Sequence, residues 1–258
     1  LGPHVKQEGS LVAPDRLRFD FDNNGPVPAV QLAQCEALVR EQIREDLTVY
    51  VDLAPLAKAK EISGVRAVFG ETYPDPVRVV SIGVPVADLL ASPTNPAWRE
   101  ASIEFCGGTH LSSTKAAEAF AIVSEEAVAK GIRRVVALTG EAAREAYAAG
   151  EALHARIATS ARLPDTSLAG EVNAINTAID AATISVGTKD LLRGELGKLK
   201  ERLQAVQKQA AAAKRGEAAG LARSIGEQAR SRGDKAIVTK MDLGGDRAAL
   251  EQAVKTIR

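Results

Sequence analysis

The 258 residues carry 33 Lys+Arg against 33 Asp+Glu, a formal net charge of zero, and 45% of them are hydrophobic. That length serves one large domain or two ordinary ones with a real core, and the balance of charge excludes a polyanion-binding tail and an acidic solvating segment. Two cysteines, Cys35 and Cys106, cannot build a disulfide framework, the first residues do not resemble the charged-then-apolar pattern of a signal peptide, and the apolar runs fall far short of the roughly 20 residues that span a bilayer.

The chain has no initiating Met, and Leu1-Gly2-Pro3 reads as the end of one element and a turn, so the sequence is expected to continue something longer. Arg16-Leu17-Arg18-Phe19-Asp20-Phe21 alternates charged and apolar side chains, the period of a half-buried strand, and Asp22-Asn23-Asn24-Gly25-Pro26 ends it with turn residues. From Pro28 to Asp46 apolar residues recur at helical spacing, at Val30, Ala33, Ala37, Leu38 and Ile43. Cys35 sits in this stretch as a small buried hydrophobe would, which favours a reducing compartment. Strand-like segments follow at Leu47–Leu53, Val77–Val84, Ser102–Cys106, Ala119–Ser124 and Arg133–Leu138, with a short helix at Leu56–Ile62. Strands outnumber helices and come in blocks, so residues 1–140 read as α+β.

After Thr139-Gly140 the pattern becomes helical. Glu141 to Arg162 is rich in Ala and Glu. Leu168, Val172, Ile175, Ile179, Ala182 and Val186 form one heptad seam, and Leu192, Leu196, Leu199, Leu203 and Val206 form another. The stretch Thr183-Ile184-Ser185-Val186-Gly187-Thr188 between them is where the chain should reverse into an antiparallel hairpin; the seams serve either that internal packing or oligomerisation. From Asp234, Lys235-Ala236-Ile237-Val238-Thr239 reads as a strand, Gly244-Gly245-Asp246 as a turn and Ala248 to Ile257 as a helix. Charge is uneven: residues 1–50 sum to −3 and residues 189–232 to +6, which suits either a solvated helix face or an acidic partner such as RNA.

Phe105-Cys106-Gly107-Gly108-Thr109-His110 is the sharpest constellation. Cys106 should end a strand, two glycines should let the backbone turn tightly, and His110 should fold back within a metal's reach of the thiolate. Cys and neutral His are zinc donors, but C-x₃-H supplies only two of the three or four protein ligands zinc takes, and a buried Cys beside a loop His reads equally well. His4, Cys35 and His154 are weak candidates to complete the set, because structural sites present ligands in closely spaced pairs.

Taken together, His4-Val5-Lys6-Gln7-Glu8-Gly9-Ser10-Leu11-Val12, Asp15-Arg16-Leu17-Arg18-Phe19-Asp20-Phe21, Ser102-Ile103-Glu104-Phe105-Cys106-Gly107-Gly108-Thr109-His110, Ser124-Glu125-Glu126 and Gly131-Ile132-Arg133-Arg134, leading to Ala137-Leu138-Thr139-Gly140, closely resemble the editing domain of alanyl-tRNA synthetases. Threonyl-tRNA synthetases have a related second additional domain, but the G-I-R-R segment and the hairpin fit the alanyl family better. The resemblance covers essentially the whole chain. It implies an antiparallel-rich α+β editing domain over 1–140, of the class II synthetase second additional domain type, then a helical linker with an antiparallel hairpin over 141–233 and the start of a small α/β C-terminal domain over 234–258.

The implied activity is hydrolysis of the ester in tRNA(Ala) mischarged with serine or glycine. A pocket built for alanine gains only about 1–3 kcal/mol of discrimination from a missing methyl or an added hydroxyl, so a second, hydrolytic sieve is needed. In the family two histidines of one helix and the Cys and His of C-G-G-T-H hold zinc; the latter pair maps onto Cys106 and His110. The resemblance places the paired-histidine helix, and the aminoacylation core with its ATP and Mg, upstream of Leu1. The chain is therefore expected to hold a zinc half-site, to deacylate poorly and not to attach alanine. Gln7 falls at an editing-pocket position, where its amide could orient a water or the serine hydroxyl, or else stand in an exposed loop. Thr109 could donate to the substrate or to backbone. Arg133 and Arg134 could meet RNA phosphates, or one could pair with Glu125 or Glu126. The implied partners are tRNA(Ala) and, through the C-terminal region, a second copy of the chain; the implied compartment is the cytoplasm, a mitochondrion or a plastid. The alternatives are a non-catalytic tRNA-binding or dimerisation module and a stand-alone trans-editing deacylase.

Overall fold

The structure is a computed structural model that describes residues 2, 5–67, 72–241 and 247–257. It is α+β: among the described residues, seven antiparallel strands in two sheets are joined and followed by helices. The first sheet has the order β1(Gln7–Val12), β2(Leu17–Asp22), β7(Ile132–Thr139), β6(Phe120–Ala129). The second has the order β3(Val49–Ala54), β4(Val77–Ile82), β5(Ser102–Phe105). The alternation in β2 is realised as expected, with Phe21 in the core beside Val27, Leu32, Ile122 and Ala137. Strand β1 is exposed along nearly all its length, so no hydrophobic period marks it in the sequence. Hairpin β6–β7 turns through Gly131, whose φ of 79° lies in the left-handed region that favours glycine.

Helix α1(Ala29–Glu45) follows Pro28 and stops where Asp46 turns left-handed. It packs on β6, and its Glu36, although 7% exposed, is fully engaged: it accepts from the Ile122 backbone N–H at 2.7 Å and from the Tyr147 hydroxyl at 2.7 Å. Burial and the Glu36 carboxylate together push the Tyr147 phenol well above its ordinary value. Short helices α2(Leu56–Ala59) and α3(Val86–Ala91) lie against the second sheet. There Ala54, Ile62, Val77, Val79, Leu89, Ile103 and Phe105 make a separate core.

Helices α4(Gly140–Ser160), α5(Asp165–Ala181), α6(Val186–Arg232) and α7(Arg247–Ile257) complete the chain. It falls into two compact units, residues 1–155 with 178–193, and residues 156–177 with 194–258, whose borders run through α4, α5 and α6. The reversal between α5 and α6 occupies residues 182–185. Gly187 already belongs to α6, where a Cβ would stand 2.9 Å from the Cβ of Ala33; glycine is needed there for close approach. Leu168, Val172, Ile175, Ile179, Leu192, Leu196 and Leu199 are buried, and Leu203 is half-buried. Antiparallel pairing is visible within each unit. In the first, Arg193 donates to Asp180 at 2.7 Å; in the second, Lys200 donates to Asn176 at 2.7 Å and Arg202 meets Asp165 at 2.6 Å.

The strand expected at Lys235–Thr239 does not form. The segment is irregular and exposed, with Val238 fully so: among the described residues it has no partner strand, and a lone strand leaves its backbone groups unpaired. The expected turn at Gly244-Gly245-Asp246, the turn involving Leu1 and Pro3, and His4 lie outside the described residues. No helix among the described residues is long and apolar enough to cross a membrane.

Candidate metal centre

Along β5, Ile103 and Phe105 turn into the core beneath the second sheet. Side chains alternate along a strand, so Glu104 and, past the strand's end, Cys106 share the opposite face. The chain then passes Gly107 and Gly108 to the exposed His110. Neither glycine is left-handed; the turn asked for by the sequence is made in ordinary backbone conformations, and a Cβ on Gly108 would stand 3.6 Å from the Cys106 Sγ.

One carboxylate oxygen of Glu104, the Sγ of Cys106 and a ring nitrogen of His110 lie within 4.8 Å of one another, the one group of three such donors among the described residues. Around a tetrahedral zinc, donors at bond lengths of 2.0–2.3 Å stand about 3.3–3.8 Å apart. A closure of about 1 Å brings this set to that spacing, and a thiol, an imidazole and a carboxylate are all zinc donors, so the residues fit the metal.

Arg78 holds this loop. Its Nη1 donates to the carbonyl oxygens of Cys106 at 2.6 Å and Gly108 at 2.7 Å, while the Cys106 N–H donates to the Arg78 carbonyl at 3.3 Å. Nothing in the sequence marks Arg78, because register alone places it opposite Cys106. Sequence reasoning also misses Glu104, though a signal is present: in a strand, E-x-C puts both side chains on one face.

The other candidates are placed as follows. Thr109 is exposed between the two donors. Gln7 is on β1 of the other sheet, exposed, its amide donating to the Ser10 hydroxyl at 3.2 Å. Cys35 packs against the core under α1. His154 lines a cleft of about 510 Å³ with Glu36, Arg40, Tyr147 and Thr188, apart from the donor cluster.

Arg133 and Arg134 are both committed inside the first sheet. Arg133 binds both oxygens of Glu125, at 2.5 and 2.7 Å, and Arg134 both oxygens of Asp20, at 2.7 and 2.8 Å. Of the two roles the sequence allows them, this geometry is that of internal ion pairs, with the Nε–Nη2 edge of each guanidinium on a carboxylate. The hydrogen bonds from Arg134, helped by the charges of Arg134 and Arg18 and opposed by burial, hold the Asp20 carboxyl below its ordinary value. A carboxylate lowered on folding stabilises the fold above its unfolded value, and that stabilisation is lost as pH falls from the ordinary carboxylate range through the lower folded value. In acid titrations followed by circular dichroism, Asp20→Asn should flatten the stability profile over that window; a slope equal to the parent's would rule out this carboxylate as a contributor.

Residues 77–136 match the second additional domain of threonyl and alanyl tRNA synthetases. The chain is 46% identical over 202 residues to the mitochondrial alanine–tRNA ligase of Saccharomyces cerevisiae, covering 78% of this chain and 20% of that protein. It is 46% identical over 214 residues to the alanine–tRNA ligase of Candida albicans, covering 81% and 22%. It is 39% identical to the cytoplasmic alanine–tRNA ligase of Bombyx mori, covering 100% and 27%. The chain thus spans 20–27% of the length of these relatives.

Proposed function

Because this chain is related to the alanyl-tRNA synthetases along most of its length and carries their second additional domain, we propose that it acts in the fidelity of alanyl-tRNA synthesis, hydrolysing the ester that joins serine or glycine to tRNA(Ala). The observation that carries this reading is the convergence of Cys106 and His110 at the end of β5, inside the matched domain.

In this reading Cys106 and His110 hold zinc, which when bound supplies a Lewis acid at the ester. Arg78 keeps the loop between the two donors in one conformation through its carbonyl contacts. Thr109, exposed between them, offers a hydroxyl that donates to or accepts from the substrate. The Gln7 amide serves to select a serine hydroxyl, a role that requires it to leave Ser10. The partner is tRNA(Ala). With Arg133 and Arg134 engaged internally, the phosphate-facing charge falls to α6, where Lys198, Lys208, Lys214 and Arg223 are exposed and have no carboxylate partner among the described residues.

Purified chain incubated with Ser-tRNA(Ala), Gly-tRNA(Ala) and Ala-tRNA(Ala) tests the proposal. Slow hydrolysis of the serine and glycine esters above the buffer rate is expected, with the alanine ester spared, and His110→Ala should return the rate to that of buffer. Failure to hydrolyse any of the three above buffer would reject a catalytic role for this chain.

A further inference from the structure

Glu104 is a half-buried carboxylate with no cation and no hydrogen-bond donor on its side chain among the described residues. Such a group loses hydration without gaining a partner, which is unfavourable unless something cationic joins it. The nearby guanidinium of Arg78 is occupied by the carbonyls of Cys106 and Gly108. What Glu104 does face is the thiol of Cys106 and the imidazole of His110, all three donor atoms lying within 4.8 Å of one another.

We propose that Glu104 is a zinc ligand, so that this chain presents an oxygen, a sulfur and a nitrogen donor from one strand end and the turn after it. The inference rests on the zinc reading of Cys106 and His110 and extends it by a third ligand. Two geometric facts favour direct ligation. The strand fixes Glu104 and Cys106 on one face, so their separation does not depend on the loop; and the loop that returns His110 is tied down by Arg78. Charge favours it too. A thiolate and a carboxylate together neutralise a divalent ion, whereas thiolate and imidazole alone leave a net positive complex at a half-buried position. The set is also selective, since thiolate and imidazole suit zinc and disfavour the oxygen-seeking Mg and Ca.

The test uses the 258-residue chain, titrated with Co²⁺ as a spectroscopic stand-in and with Zn²⁺ against a competing chelator, alongside Glu104→Gln, Cys106→Ala and His110→Ala. The parent should bind one equivalent and develop a thiolate-to-cobalt charge-transfer band. Glu104→Gln should keep that band, because Cys106 remains, but lose affinity on the order of a hundredfold, since loss even of outer-shell partners costs about 10–100-fold. Infrared difference spectra on adding Zn²⁺ give a second measurement on the unmutated protein, where a shifted carboxylate stretch is expected that Glu104→Gln lacks. Equal affinity for parent and Glu104→Gln, with Cys106→Ala and His110→Ala both weakened, would overturn the role of Glu104 and leave the zinc reading standing. No effect of any of the three substitutions would overturn both.

Discussion

Ile103→Ala should destabilise the first unit by about 2–5 kcal/mol and carry the donor cluster down with it. Ile103 is 0% exposed and lies among Val79, Leu89 and Phe105, so truncation removes buried methylenes and leaves a cavity under the strand. The cavity opens next to Glu104 and three residues before Cys106, so β5 relaxes by moving the donors it carries. Trp98, the single tryptophan, packs against this same core, and its fluorescence during urea unfolding reports on that region. Zinc affinity should fall in the same variant. A loss of stability below about 1 kcal/mol would show that the core under β5 does not support the site as described.

Arg78→Ala should lower the rate of Ser-tRNA(Ala) deacylation on the order of a hundredfold, because displacing a reacting group by about 1 Å costs that much. The substitution removes a side chain that bonds both the Cys106 and the Gly108 carbonyl, and with it that restraint on the segment between Cys106 and His110. A positioning role predicts that kcat falls while KM holds, that Arg78→Lys recovers part of the rate, and that unfolding followed at Trp98 shifts by less than about 1 kcal/mol. Parent-like kcat in Arg78→Ala would exclude the clamp; a rate loss accounted for by unfolding at Trp98 would reduce it to a structural contact.

Much of the fold is legible in the residues because their periods are strong. The alternation at Leu17–Phe21, the helical spacing after Pro28 and the two leucine- and isoleucine-rich seams each become the element their spacing demands. Strand β1 is not legible: Gln7–Val12 is exposed on both faces and is held by backbone pairing to β2, which composition does not record. Lys235–Thr239 misleads for the complementary reason, since β-branched residues favour a strand only where a partner strand exists. At the site, Cys106 and His110 announce themselves by residue type, whereas Glu104 is missed, although its place two residues before Cys106 in a strand puts it on the same face. Arg78 is silent in sequence, because its role comes from the β4–β5 register, a contact 28 residues apart along the chain. Arg133 and Arg134 show the limit of reading charge from sequence: adjacent arginines look available to phosphate, but their carboxylates come from β6 and β2, and only tertiary pairing reveals them.

The hydrogen bond that the Ile122 N–H donates to Glu36 bears on how this chain behaves in a crowd of its own kind. Strand β6 is an outer strand of its sheet, and an outer strand with free N–H groups is a template onto which another chain can add. By placing a carboxylate on that N–H from α1, and by tying the same carboxylate to Tyr147 on α4, the molecule fills a docking point for an intruding strand with its own side chain. Helix α1 thereby covers this position of the edge as well as part of the core, so an added strand would first have to displace the Glu36 carboxylate.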